Sequence, residues 1–217
     1  MRENYNSRLD ALSADLAEMC TLAEDAMASA TKALLTADLG LAETTISSKE
    51  QIDVLAAQWE QDAFSVLALQ SPVALDLRIM VSGIHIVADL QRMGGLAIHI
   101  AELVRRRHPA HVLPDEVEAV FADMGRVAVE QADAAREVLL TRDADLAKQL
   151  RVKDEAMDDL HRSLFELTSS PEWPHGVPAA VDITLLGRFY ERYSDHTVEV
   201  ARRVTFLVTG ELRPDDA

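Results

Sequence analysis

Apolar residues spaced alternately three and four apart recur along nearly the whole chain, and this spacing restricts it to long, packed helices. Leu9, Leu12, Leu16, Met19, Ala23, Ala26, Ala30 and Ala33 form one such seam, the narrow stripe a helix buries against its neighbours. Its Ala-rich far end lets a neighbour approach closely. A second helix is expected over 39–70, with Ile52, Leu55, Trp59, Ala63 and Val66 inward. Ser71-Pro72 then reads as an N-cap followed by proline at the first helical position. That third helix ends at Arg105-Arg106-Arg107, cations set against the negative end of its dipole. Pro114-Asp115-Glu116 restarts a helix whose seam is Val117, Val120, Met124, Val127, Gln131, Ala134 and Val138. A fifth is expected from about 143 to 169, carrying Met157, Leu160, Leu164 and Leu167. The proline-rich stretch Ser169 to Pro178 reads as an irregular loop. The sixth helix takes Ile183, Leu186, Tyr190, Tyr193, Thr197, Val200, Val204 and Leu207 as its seam. Only 8 Gly and 7 Pro occur in 217 residues, so few turns are encoded, and no β pattern appears. The expected class is all-α.

Three helices followed by three suggest a duplication, and particular residues support it. Leu34, Leu35, Thr36, Asp38, Leu41 and Ala42 match Leu139, Leu140, Thr141, Asp143, Leu146 and Ala147 at a constant offset of 105. Glu50, Asp53 and Leu55 match Glu155, Asp158 and Leu160 at the same offset, and Arg92, Ala101 and Val104 match Arg192, Ala201 and Val204 at an offset of 100. The expectation is two tandem three-helix up-down bundles, 1–108 and 109–217, with short antiparallel connections.

Charge narrows the partners. With 21 Lys and Arg against 37 Asp and Glu, the formal charge is −16. That is the opposite of the basic footprint that releases counterions from phosphates, which excludes DNA or RNA as the main partner. A single cysteine, Cys20, permits no intrachain disulfide, suits a reducing compartment and reads as an inert buried thiol. Met1 to Ser7 lacks the apolar core of a signal peptide. No run reaches the ~18 uncharged residues of a membrane span; even Ile79 to Ile100 is interrupted by Asp89 and Arg92. The expected location is cytoplasmic, with membrane contact only through partners.

The chemistry-bearing feature is a column of acids. Residues four apart stack on one helix face, so Glu191, Asp195 and Glu199 align three carboxylates. Like charges at that spacing repel by a few tenths of a kcal/mol per pair. Water, Arg192, Arg202 and Arg203, or a bound cation must offset this. Asp154 and Asp158 repeat the spacing in the fifth helix, which neighbours the sixth in a three-helix bundle. Oxygen-rich sites suit hard or borderline cations such as Mg²⁺, Ca²⁺, Mn²⁺ or iron. Acids beside a seam are ordinarily a solvated face, but two columns in neighbouring helices of one repeat weigh toward a site. His161 and His196 are candidate auxiliary ligands, His85 and His99 read as core or edge histidines, and Trp173 reads as a partner anchor or an end cap.

At these residues the sequence resembles the PhoU family of phosphate-transport regulators, and within it the actinobacterial PhoY-type branch, over the whole chain. The family's Leu-Glu-Arg-Ile-Gly-Asp-His-Ala helix stands here as Tyr190-Glu191-Arg192-Tyr193-Ser194-Asp195-His196-Thr197. Its proline followed by Asp-Leu-Arg appears as Pro72 and Asp76-Leu77-Arg78, and its Asp-x-x-x-Asp as Asp154 to Asp158. The resemblance implies tandem three-helix bundles whose carboxylate motifs hold metal ions or clusters at the surface. It further implies a protein that is not an enzyme and stands between the Pst transporter ATPase and a sensor histidine kinase, silencing the starvation response when phosphate is plentiful. A homodimer is also implied. In the first repeat the matching motif reads Gln91-Arg92-Met93-Gly94-Gly95, and the helix-two pair is Lys49 and Asp53. An amide, a glycine and an ammonium cannot build an anionic oxygen cage. The expected metal ligands are therefore Asp154, Asp158, Glu191 and Asp195, with Glu199 a weaker member. The metal, divalent or iron-type, is not named by the sequence.

An alternative from another class is a ferritin-like di-metal enzyme, which needs Glu-x-x-His on two helices. The one Glu-x-x-His here, Glu172 to His175, lies in the proline loop. A third reading is a helical scaffold stapled by its ions.

Overall fold

The structure, a computed structural model, describes residues 2–211, leaving aside the side chains of 2–6 and 151–153. Seven helices follow in order: α1 (Arg2–Thr36), α2 (Leu39–Gln70), α3 (Leu75–Arg107), α4 (Asp115–Thr141), α5 (Ala144–Lys153), α6 (Glu155–Thr168) and α7 (Gly176–Thr209). Among the described residues there is no strand. α1, α2 and α3 pack on one another, and α4, α7 and the α5/α6 pair form the second group. The groups join through α1 against α4 and α3 against α7, so α2 and α5/α6 lie on opposite flanks. The result is the expected pair of three-helix bundles, sharing one continuous apolar core.

Local signals account for most element ends. Asp38 accepts from Leu41 N at 2.9 Å and so caps α2. Asp115, Glu116 and Glu118 occupy the first turn of α4, where acids complement the dipole. Trp59 is fully buried, and its indole Nε1 donates to Leu12 O at 2.9 Å across α1. Cys20 is buried as expected, its Sγ 3.4 Å from Ala132 O, and burial pushes the thiol up to about 12. No helix among the described residues is long and apolar enough to cross a membrane.

Three boundaries differ from the sequence reading. α3 starts at Leu75 and not at Pro72, because Ser71 is left-handed (φ 44°) and terminates α2, whereas an N-cap needs an extended backbone. α7 starts inside the expected proline loop, and Pro178 sits in its first turn, where a missing N–H costs no helical bond. The expected fifth helix is interrupted at Asp154, whose carbonyl accepts from Met157 N at 2.9 Å, a tighter i to i+3 step.

Candidate metal centre

The interruption at Asp154 falls where its side chain is tied to two other helices. Ser194 Oγ of α7 donates to Asp154 Oδ1 at 2.6 Å, and Gln131 Nε2 of α4 donates to the same oxygen at 3.4 Å. Ser194 also lies against the Gln131 side-chain oxygen, and both residues are buried. The carboxylate at the break between α5 and α6 is thus held by a buried polar pair, as buried polar groups require.

One helical turn onward, Asp158 is exposed on α6. It faces Glu191 and Asp195 of α7 closely enough to raise the carboxyls of both. Asp195 is held above its ordinary value by burial, then by Asp154, against the lowering pull of Arg188 and Arg192. Glu191 is raised by burial, then by Asp195, against Arg188, whose guanidinium pairs with Glu191 Oε1. Gly187 permits this close helix approach, since a Cβ there would stand 3.2 Å from both the His161 ring and Leu164. His161 borders the carboxylates, and burial, then Arg188, lowers its imidazole.

Of the expected ligands, Asp154 and Asp158 at the start of α6 and Glu191 and Asp195 on α7 thus lie near enough for their charges to act across the two helices. Glu199 is engaged elsewhere. Arg202 bonds it at 2.6 and 2.7 Å and Arg203 at 2.8 Å. Burial would raise its carboxyl, but these arginines outweigh burial and lower it. His196 turns to the first repeat, with Nδ1 3.0 Å from Asp89 Oδ1 of α3. His85 and His99 are exposed edge residues, and His99 stacks on Phe189. Trp173 donates to Gly176 O at 3.0 Å, bracing the loop before α7.

Two observations favour a cation at the gathered acids. Glu191 Oε2 is buried without a hydrogen-bond partner, and the carboxyls of Glu191 and Asp195 are raised by burial and by neighbouring acids. The donors are all carboxylate oxygens, which fits a hard cation. As placed, no group of three or more His, Cys, Asp or Glu among the described residues surrounds one point. Arg188 occupies Glu191 and the Ser194–Gln131 pair occupies Asp154, so the donor chemistry fits while Arg188 stands in the way.

The first repeat differs at the matching place. Lys49 pairs with Asp53, and Gln91 Nε2 donates to Asp53 Oδ1 at 3.3 Å. Its remaining acid is already neutralised by a side-chain cation.

Sequence reasoning left out Gln131, Ser194 and Arg188 as site residues. Gln131 carried a signal: a glutamine on an otherwise apolar seam needs a buried partner. Arg188 sits three residues before Glu191, a spacing that pairs charges on one helix face.

The PhoU domain family matches residues 16–104 and again 121–204. The chain is 59% identical over 210 residues to "Phosphate-specific transport system accessory protein PhoU homolog 2" of Mycobacterium tuberculosis, covering 97% of this chain and 99% of that one. It is 57% identical over 216 residues to the homolog 1 protein of Mycobacterium leprae, covering 100% and 97%. The crystal structure of PhoU from Pseudomonas aeruginosa matches with a TM-score of 0.85 at 27% identity, over 95% of this chain and 100% of that one. The Streptococcus pneumoniae PhoU structure, at 23% identity and a TM-score of 0.86 over 96% and 99%, shares the fold. With the family pattern matched twice along one chain, and relatives more than half identical from end to end, this protein belongs to the PhoU family.

Proposed function

We propose that this protein is a non-enzymatic negative regulator of phosphate uptake and of the phosphate-starvation response. In this reading it is an adaptor between the Pst transporter ATPase and a sensor histidine kinase, working in the cytoplasm as a homodimer of two-repeat chains divided at residues 108 and 109. Family membership and full-length likeness to accessory proteins of the phosphate-specific transport system support the role in phosphate-transport regulation. Long helices offer extended faces for helix-on-helix docking, and the charge of −16 favours basic patches on partners.

The same proposal assigns a hard cation to the second repeat, held by Asp154, Asp158, Glu191 and Asp195, with Glu199 outside the first set. The observation that carries it is the partnerless buried Oε2 of Glu191 beside the raised carboxyl of Asp195. When bound, the ion supplies the positive charge that these acids otherwise lack and fastens α6 to α7. For the ion to enter, Arg188 swings off Glu191 while Ser194 and Gln131 keep Asp154 in position.

Elemental analysis of the purified protein tests the metal assignment. Metal content is expected to fall to background in Glu191→Ala/Asp195→Ala, and unchanged stoichiometry refutes it. Co-purification with the transporter ATPase and with the kinase cytoplasmic region, from cells with ample phosphate, tests the adaptor role. Retention of neither removes it.

A further inference from the structure

α2 buries Ile52, Ala56, Trp59, Ala63 and Val66 against its own bundle, yet a second stripe runs along its outward face. Val54, Ala57, Gln61, Phe64 and Ala68 alternate steps of three and four, and all five are exposed. Val54 and Phe64 are 59% and 65% exposed, and Leu69, in the last turn of α2, is 72% exposed. A depression of about 590 Å³ is lined by Ala57, Gln61, Phe64 and Ala68 themselves, and one of about 320 Å³ between α1 and α2 shares Ser65 and Leu69 with it. α1 and α3 cover the buried face of α2, and this second, mostly apolar stripe lies outside what either helix covers.

The internal repeat provides a control. At the offset of 105, Val54, Ala57 and Gln61 correspond to Asp159, Arg162 and Glu166 of α6. There the outward face is charged, and Arg162 pairs with Asp159 at 2.6 Å, an ordinary solvated surface. α6 ends at Thr168, one residue before the counterpart of Phe64, whereas α2 continues to Gln70. α6 does expose Phe165 and Leu167, but they stand at the counterparts of Glu60 and Asp62, so the three-and-four apolar spacing belongs to the first repeat.

Charge selects the occupant. From Glu50 to Gln70, α2 carries Glu50, Asp53, Glu60 and Asp62 and no lysine or arginine. Lys49 answers Asp53, but among the described residues neither Glu60 nor Asp62 forms an ion pair. Burial, then Glu18 and Asp62, raise the nearby Asp15 carboxyl, with Arg8 the cation beside that depression. Two copies of this chain packed through the face would set acids against acids, and an anionic membrane would be repelled. We propose that the outward face of α2, from Val54 to Leu69, is a docking seam for a lysine- or arginine-rich amphipathic helix of a partner protein. The spacing supplies the apolar seam of a helix pair, and the flanking acids set the partner's sign. This rests on the adaptor reading, to which it gives a surface, and does not involve the acids of the second repeat.

The test uses the full-length protein and a fluorescent synthetic helix of about three heptads, leucines at the seam and lysines beside them. Fluorescence anisotropy is expected to show binding that weakens with salt. Phe64→Ser/Leu69→Ser is expected to reduce affinity at least ~10-fold, a loss equivalent to the ~1.4 kcal/mol per tenfold step. Both side chains are exposed, so the fold survives, and circular dichroism checks it. Glu60→Gln/Asp62→Asn is expected to weaken binding ~3-fold or more and flatten the salt dependence. Val181→Ser/Leu185→Ser, on an exposed apolar stretch of α7, is expected to leave it unchanged, and a glutamate version of the peptide is expected not to bind. Equal binding by Phe64→Ser/Leu69→Ser overturns the seam. So does sedimentation showing that this variant converts a dimer to a monomer, since a second copy then covers the face, and so does its loss of binding to anionic vesicles. A failed peptide test with successful co-purification rejects the seam and keeps the adaptor; the reverse result keeps the seam and rejects the adaptor.

Discussion

Ser194 Oγ on α7 donates a 2.6 Å hydrogen bond to Asp154 Oδ1, at the point where α5 gives way to α6. Gln131 of α4 completes the group, so three helices of the second repeat meet through one buried polar cluster. Because each member satisfies another, removing one leaves a buried partner unpaired. Ser194→Ala is expected to cost about 1–2 kcal/mol. Ser194→Ala/Gln131→Leu is expected to cost less than the two single changes added together. Urea unfolding of the four proteins checks this, and strict additivity means the cluster is not coupled.

The carboxylate column gives opposite pH signatures at Asp195 and Glu199. Burial, then Asp154, raise the Asp195 carboxyl in the folded protein. The native state therefore holds that proton more tightly than the unfolded chain does. Stability falls as pH rises from the ordinary carboxylate range through the raised folded value, and the cost is complete at neutral pH. Asp195 is half-exposed, so water screens the penalty to a few tenths of a kcal/mol. In chelator at about pH 7, Asp195→Asn is expected to melt ~1–2 °C higher than the parent. The difference disappears near pH 3, below the ordinary aspartate value of about 3.9.

Glu199 behaves in the reverse sense. Arg202 and Arg203 outweigh burial and lower its carboxyl. Its contribution is present above the ordinary glutamate value and is lost as pH falls through the lowered folded one. Glu199→Gln is expected to destabilise slightly at neutral pH, by less than about 1 kcal/mol for partly exposed pairs, and to match the parent in acid. A thermal melt series across pH separates the two carboxylates, and the same sign for both refutes the assignment.

Lys49 marks where the first repeat parted from the second. It neutralises Asp53, and Gln91 and Gly95 stand where the second repeat has Glu191 and Asp195. A Cβ added at Gly95 meets nothing within 4 Å, so an acid fits there without strain. Lys49→Asp/Gln91→Glu/Gly95→Asp is expected to raise the metal content per chain roughly twofold, since it restores an all-oxygen donor set. Elemental analysis measures this, and an unchanged content shows that these positions do not decide occupancy.

Gly83 lets Trp59 lie flat between helices. A Cβ at that position would stand 2.3 Å from the indole ring, and the ring cannot retreat without giving up its bond to Leu12 O. Gly83→Ala is expected to cost about 1–3 kcal/mol by overpacking, with Tm down by roughly 3–10 °C. The Trp59 fluorescence should shift to the red in a Trp173→Phe background. A parent-like melt would mean that the α2–α3 spacing gives way freely.

The seams of three and four were enough to read the long helices and the duplication, though not the break of the fifth at Asp154, because helical periodicity is a property of consecutive residues. Lys49, Gln91 and Gly95 likewise betrayed the altered site of the first repeat by their chemistry alone. The start of α3 was misread because Ser71-Pro72 has the composition of an N-cap while Ser71 takes the backbone of a helix end. Nothing local distinguishes the two until the direction of the neighbouring helix is known.

Sequence by itself determined the all-α class, the paired bundles and the acids at positions 154, 158, 191 and 195, since spacing on one helix fixes which side chains share a face. Tertiary structure alone decided that Gln131 and Ser194 hold Asp154, that His196 turns to Asp89 of the first repeat, and that among the described residues no other helix covers the outer side of α2. Those outcomes depend on how separate helices are rotated and spaced against one another. That is set by the close approach of residues such as Gly83 and Gly187 to partners distant in the chain, which no pattern within a single helix encodes.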